Sequence, residues 1–202
     1  CVVEYGSGSS KKIRRVLDVL RPAAYVPVDI SRQYLLDNAR QLKSDYPELA
    51  MYPVCADISE HFALPDEVHS MQKLGFFPGS SIGNFRPQEA TRFLQRARRT
   101  LGSDAQMLIG VDAKKSVAVL EAAYNDAAGV TAEFNLNALL HLNTQLSADF
   151  KPQQFAHVAR YNATRGCMQM FLRSRVAQRV KIGDATIDFA ADELVHLSLI
   201  HI

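Results

Sequence analysis

The chain has 202 residues, 48% of them hydrophobic and 22% charged, which is enough for one substantial core or a core with an added lobe and excludes a disordered chain. Twenty-three Lys and Arg against 21 Asp and Glu leave a formal charge of +2, too small to make nucleic acid or an anionic membrane the main partner. No apolar run approaches the roughly 18 residues of a membrane span, and the three cysteines, Cys1, Cys55 and Cys167, fit a reducing cytoplasm better than a disulfide framework or a structural zinc site.

Taken in chain order, Val2 to Tyr5 reads as a short strand running into Gly6-Ser7-Gly8-Ser9-Ser10, after which Ile13, Val16, Leu17 and Leu20 mark one face of a helix. Tyr25 to Asp29 is a second strand, with Ser31 as N-cap of a helix to about Leu42. Tyr52 to Asp57 is the third, weakened at its start by Pro53. Leu74 to Pro78 is the fourth, Pro87 opens a helix carrying Ala90, Phe93, Leu94, Ala97 and Leu101, and Met107 to Val111 is the fifth. Strands alternating with helices predict a parallel α/β sheet of the Rossmann-like kind. Beyond Lys115 the rhythm changes to helices at 117–127 and 132–146, followed by strand-like runs at 155–161 and 168–175, which predicts a smaller α+β lobe. The expected organisation is therefore a core over 1–115, a lobe over 116–193 and a remainder over 194–202. The opening run Cys1-Val2-Val3 lacks a Met, so the natural protein is expected to begin upstream; the closing Leu197 to Ile202 resembles translated adapter read-through and is expected to be a non-native tail.

In an open parallel sheet the ligand lies beyond the carboxyl ends of the strands. Gly6 and Gly8 permit a tight turn and close approach of a ligand, and the amides at the next helix start favour an anion. A dinucleotide fingerprint would place a third glycine at position 11, where Lys11 stands instead. Asp29, 23 residues after Gly6, can accept both hydroxyls of an adenosine ribose, and Asp57, closing the third strand, can accept from an adenine amino group. Together they describe an adenosine ligand without a pyrophosphate, namely S-adenosylmethionine. The competing reading makes the glycines a mere turn and the two aspartates N-caps or loop carboxylates. Asn84, after the fourth strand, can accept from an amine and aim its lone pair at an electrophilic methyl; its competing role is to cap the helix near Pro87.

Tyr5 to Lys12, Tyr25 to Ser31, Phe76 to Phe85, and Glu121 to Asp126 continuing through Gly129 to Asn135 resemble the L-histidine Nα-methyltransferase family of ergothioneine biosynthesis, over most of the chain from Val2 to Glu193. The resemblance implies that Gly6, Lys12, Asp29, Asp57 and Ile58 contact S-adenosylmethionine, with Gly8 in the same loop. It further implies that Asn84 and Tyr124 hold the amine and carboxylate region of histidine, and that Met170 borders the substrate pocket. Without it, Met170 reads as core filler and Tyr124 as a helix-face aromatic. Two features of the family are missing: an N-terminal stretch that contributes a tyrosine, and a Thr-Glu-x-Ser segment gripping the imidazole, where this chain has Leu194-Val195-His196-Leu197. The last strands of the family's sheet are absent too, so an exposed sheet edge is expected.

The activity implied is trimethylation of the α-amine of L-histidine to hercynine by a cytoplasmic, monomeric enzyme without a metal, a membrane or a nucleic-acid partner. Alternatives are the same fold acting on another small amine or amino acid, an inactive S-adenosylmethionine-binding module, and a nucleic-acid methyltransferase suggested by Arg92, Arg96, Arg98 and Arg99.

Overall fold

Apolar runs and helical stripes, broken by glycine and proline, set out the elements of the computed structural model, which describes residues 1–202. They are β1 (Val2–Tyr5), α1 (Ile13–Leu20), β2 (Ala24–Asp29), α2 (Arg32–Asp45), β3 (Ala50–Met51), β4 (Val54–Cys55), β5 (Leu74–Phe77), α3 (Pro87–Leu101) and β6 (Gln106–Ile109). Next come α4 (Val117–Tyr124), α5 (Val130–Leu146), β7 (Phe155–Asn162), β8 (Cys167–Ser174), β9 (Gln178–Ile182), β10 (Ala185–Phe189) and β11 (Leu194–His201). Two compact units divide the chain, Cys1–Asp112 and Ala113–Ile202, three residues earlier than the expected boundary.

In the first unit all strand pairs are parallel, in the order β3-β2-β1-β5-β6 with β4 also on β2. The chain leaves β1 toward β2 on one side and resumes at β5 on the other, so the crevice beyond β1 and β5 is the topological switch point where such sheets take ligands. One face packs Ile13, Leu17 and Leu42 of α1 and α2 against Val2, Tyr25 and Phe76. The other packs Phe93, Ala97 and Leu101 of α3 against Val3, Tyr5, Val26 and Phe77. Burial on both faces is why β1 and β2 read as apolar runs rather than as alternating patterns. Gly75 makes room in β5, where a Cβ would stand 2.7 Å from Leu101 Cδ1.

The third strand differs from expectation. It is split into β3 and β4, and the registers Tyr25↔Met51 and Val28↔Val54 put Pro27 level with Pro53. Neither proline has an N–H to give, so the ladder is interrupted at their level. β6 ends the sheet order and is half exposed, with Leu108 at 50%.

The second unit holds a three-stranded antiparallel sheet, β11-β8-β7, and the hairpin β9–β10, beside α4 and α5. β9, β10 and β11 extend beyond the two expected strand-like runs; the segment expected as a tail forms β11, paired along β8 with an irregularity between His196 and Ser198. One sheet face carries two apolar clusters: Phe155 and Leu172 with Leu139 of α5, and Ala159, Met168 and Met170 with Leu120 of α4. α4 is fastened to the outer edge of β7 by side chains. The Asn125 amide donates to Ala159 O and accepts from Ala159 N, both at 3.1 Å, and Glu121 accepts from Tyr161 N at 3.0 Å. The backbone groups of Ala159 and the N–H of Tyr161 are thereby satisfied without a further strand. No helix is long and apolar enough to cross a membrane.

Candidate functional site

β1 feeds directly into the glycine loop. Gly6, at φ +70°, and Ser7 both donate their backbone N–H to Val28 O, which folds the loop over the end of β2. The carboxylate of Asp29 then joins the two strand ends: Oδ2 accepts from Gly8 N at 3.0 Å and Oδ1 from Ser31 N at 2.9 Å. α2 begins after Ser31, whose side chain makes no capping bond, so Asp29 is not the N-cap of that helix. Each of its oxygens retains a lone pair able to accept from a vicinal diol.

Asp57 lies exposed in the turn after β4, its Oδ1 accepting from Ser59 N at 2.8 Å and Ser59 Oγ at 2.7 Å. The Ser59 hydroxyl bond is the main reason its carboxyl sits below the usual range. Oδ2 takes no part in that turn. The next residue, Ile58, reaches the glycine loop, since a Cβ on Gly6 would meet its Cδ1 at 3.9 Å. Lys12, just before α1, crosses to the end of β5, where a Cβ on Gly79 would stand 2.7 Å from Nζ. Gly79 also has φ +80°, so any side chain there would meet both backbone strain and the ammonium. The structure thus gathers Gly6, Gly8, Asp29 and Ile58 around one loop and extends Lys12 to the neighbouring one.

Asn84 closes a 3-10 turn, Ser81–Asn84, beyond β5 and is exposed. It does not cap α3: the N-cap is Arg86, whose N–H is taken by Glu89 Oε2 at 2.8 Å. That turn is pinned by Ser80, whose N donates to Gly110 O at 3.1 Å and whose Oγ accepts from Asp112 N at 2.9 Å.

In the second unit Tyr124 is the last residue of α4 and Met170 is buried in the middle of β8. Asp126 accepts from Val130 N and Thr131 N at 2.8 and 2.9 Å, which fixes the turn from α4 into α5. Hydrogen bonding to Thr131 leads the causes that hold its carboxyl at about 2.

Several polar residues around these positions escape a sequence reading. Glu4 is 2% exposed inside β1, takes a hydrogen bond from Tyr25 Oη, and is raised by burial to about 7 although Tyr25 and Lys12 pull the other way. Its signal was a lone acid in the apolar string Val2-Val3-Glu4-Tyr5. Ser7 Oγ is buried in the loop with no protein partner, and Tyr5 Oη is likewise orphaned among Phe62, Phe77 and Phe93.

A model of a family described as histidine-specific methyltransferase, SAM-dependent, matches residues 1–201. A histidine N-alpha-methyltransferase of Mycolicibacterium smegmatis is 39% identical over 199 residues, covering 95% of this chain and 61% of that protein. Its namesake in Mycobacterium tuberculosis is 38% identical over 198 residues, with the same coverage, 95% and 61%. Ergothioneine biosynthesis protein 1 of Neurospora crassa is 35% identical over 149 residues, 70% of this chain and 17% of that one. The chain therefore spans 61% of the length of its mycobacterial relatives. With the parallel sheet, its switch-point loop and a match running from end to end, the chain belongs to the SAM-dependent, histidine-specific methyltransferase family.

Proposed function

We propose that the natural protein moves the methyl group of S-adenosylmethionine to the α-amine of L-histidine, three times in succession, giving hercynine on the route to ergothioneine. The observation that carries this reading is the Asp29 tie between the glycine loop and the end of β2, in a chain that matches the family over residues 1–201. Asp29 presents acceptors for the ribose hydroxyls, Asp57 Oδ2 accepts from the adenine amine, and Gly6, Gly8, Lys12 and Ile58 complete the cofactor contacts. The orphaned Ser7 Oγ supports a ligand at this loop, because a buried hydroxyl seeks a partner.

When bound, S-adenosylmethionine supplies a methyl group on a cationic sulfur. Asn84 accepts a hydrogen from the neutral α-amine and directs its lone pair, Tyr124 holds the amine and carboxylate region, and Met170 borders the pocket. Charge passes from sulfur to nitrogen, so the transfer calls for no metal and no strong acid. Asn84 and Tyr124 contribute to catalysis by positioning the neutral amine nitrogen toward the methyl donor rather than by acid or base chemistry. A free α-amine titrates near 8, so modest desolvation supplies the neutral form at neutral pH. The same reading makes this a cytoplasmic, monomeric enzyme of small molecules, in keeping with three unpaired cysteines.

The test is to incubate the natural protein at its full length with S-adenosylmethionine and a mixture of free amino acids, then analyse the small molecules by mass spectrometry. Histidine carrying three methyl groups is expected. Methylation of another amine overturns the substrate, and cofactor binding without any product overturns the enzyme. Asn84→Ala is expected to lower turnover at least a hundredfold with cofactor affinity nearly unchanged; equal losses in both would remove Asn84 from its role.

A further inference from the structure

We propose that Asn135 and His157 are positioning residues that join Tyr124 to Met170, an inference resting on the substrate roles proposed above for those two. His157 lies on β7 between the two apolar clusters of the second unit, in register with Leu172 and one step from the Ala159↔Met170 pair. Its Nε2 is 2.8 Å from the carbonyl oxygen of Tyr124, and its Nδ1 is 3.0 Å from Nδ2 of Asn135, a buried residue of α5. That amide nitrogen also points at Met170 Sδ, 3.6 Å away.

The chemistry of each atom fixes the direction of the chain. A carbonyl only accepts, so Nε2 carries the proton; an amide nitrogen only donates, so Nδ1 is bare and the imidazole is neutral. The Tyr124 carbonyl belongs to the last turn of α4, where carbonyls lack an intrahelical donor, and His157 supplies one. The ring therefore sets the phase of the turn bearing the Tyr124 side chain, while Asn135 ties the same ring to the sulfur of Met170. A polar link crossing an otherwise apolar face is costly unless its members find partners, and here both imidazole nitrogens and the Asn135 amide nitrogen have one. Tyr124 and Met170, 46 residues apart in the chain, are held as one body.

The test varies histidine and S-adenosylmethionine separately in the full-length natural protein. His157→Asn shortens the side chain and breaks the bond to Tyr124, whereas the amide nitrogen of His157→Gln reaches the place of Nε2 and can donate to it. Expected are a fall of roughly tenfold or more in kcat/KM for histidine with His157→Asn, an affinity for S-adenosylmethionine within about twofold of wild type, and recovery of most of the loss with His157→Gln. Equal activity of both variants and wild type overturns the proposal, as does a matched loss for both substrates. Should His157→Asn fail to fold, Asn135→Ala is read in the same way. Independently of activity, the imidazole 15N shifts of the wild-type protein should report a neutral ring protonated on Nε2; protonation on Nδ1 overturns the link. A wild type inert toward histidine defeats the substrate reading alone, and the imidazole signature then decides the link.

Discussion

The two units hold their candidate residues by different means. In Cys1–Asp112 the loop is held largely by backbone: the N–H groups of Gly6 and Ser7 are anchored on the Val28 carbonyl, and one side chain, the Asp29 carboxylate, takes Gly8 N. In Ala113–Ile202 the holding is done by side chains: Asn125 and Glu121 fasten α4 to β7, while His157 and Asn135 connect Tyr124 with Met170. The first arrangement depends on the φ values of its glycines and on one carboxylate, whereas the second depends on the identity of several polar side chains.

The strongest test of this contrast is the core beneath the first site. Phe93, 1% exposed and packed on Tyr5, Phe77 and Phe85, anchors the face on which the glycine loop rests. Phe93→Ala is expected to cost about 3–5 kcal/mol in denaturant unfolding; a loss below about 1 kcal/mol would show that the loop does not rely on this cluster. Next comes Glu4. A carboxyl raised from 4.5 to about 7 favours the folded state below pH 4.5, and that contribution, about 3 kcal/mol, is lost as pH rises through 7. Glu4→Gln keeps a partner for Tyr25 and is expected to flatten stability between pH 4.5 and 7; an unchanged slope would take the titration away from Glu4.

In the second unit, Asn125→Ala leaves the Ala159 N–H and carbonyl without their partner and is expected to cost about 1–3 kcal/mol. Cofactor affinity should stay unchanged, and a cofactor defect would break the division of labour between the units. The smallest effect is assigned to Asp126. Its carboxyl is held at about 2, below the ordinary 3.8, so its support for the start of α5 is present above pH 3.8 and lost as pH falls through 2. Asp126→Asn should weaken that acid dependence, read by circular dichroism.

Much of the first unit could be read from the chain. Apolar runs ending at Tyr5, Asp29 and Phe77, separated by helical stripes, announce a buried parallel sheet, and the polar residues after those runs mark the ligand edge. The split of the third strand was hinted at by Pro53 alone, because its cause is the alignment with Pro27 and a register is set only when strands meet. The hairpin of the second unit did carry a local signal, Gly183-Asp184 between alternating segments, with Gly183 at φ +56°. Asn135 and His157 carried none, since one reads as a polar residue on a helix and the other as an alternate position on a strand.

The sequence by itself determined the alternation of strands and helices in the first unit, its parallel Rossmann-like sheet, the glycine loop and the carboxylate after the second strand, and through its long motifs the family. These rest on short-range periodicity and on chemistry repeated at strand ends, both of which are written locally. Tertiary structure alone decided that Glu4 is buried against Tyr25, that Lys12 reaches Gly79, and that His157 stands between Tyr124 and Asn135. All three depend on which distant residues the fold brings together, and such contacts, the hydrogen bonds of Glu4 and His157 among them, are specified by packing rather than by neighbours in the chain.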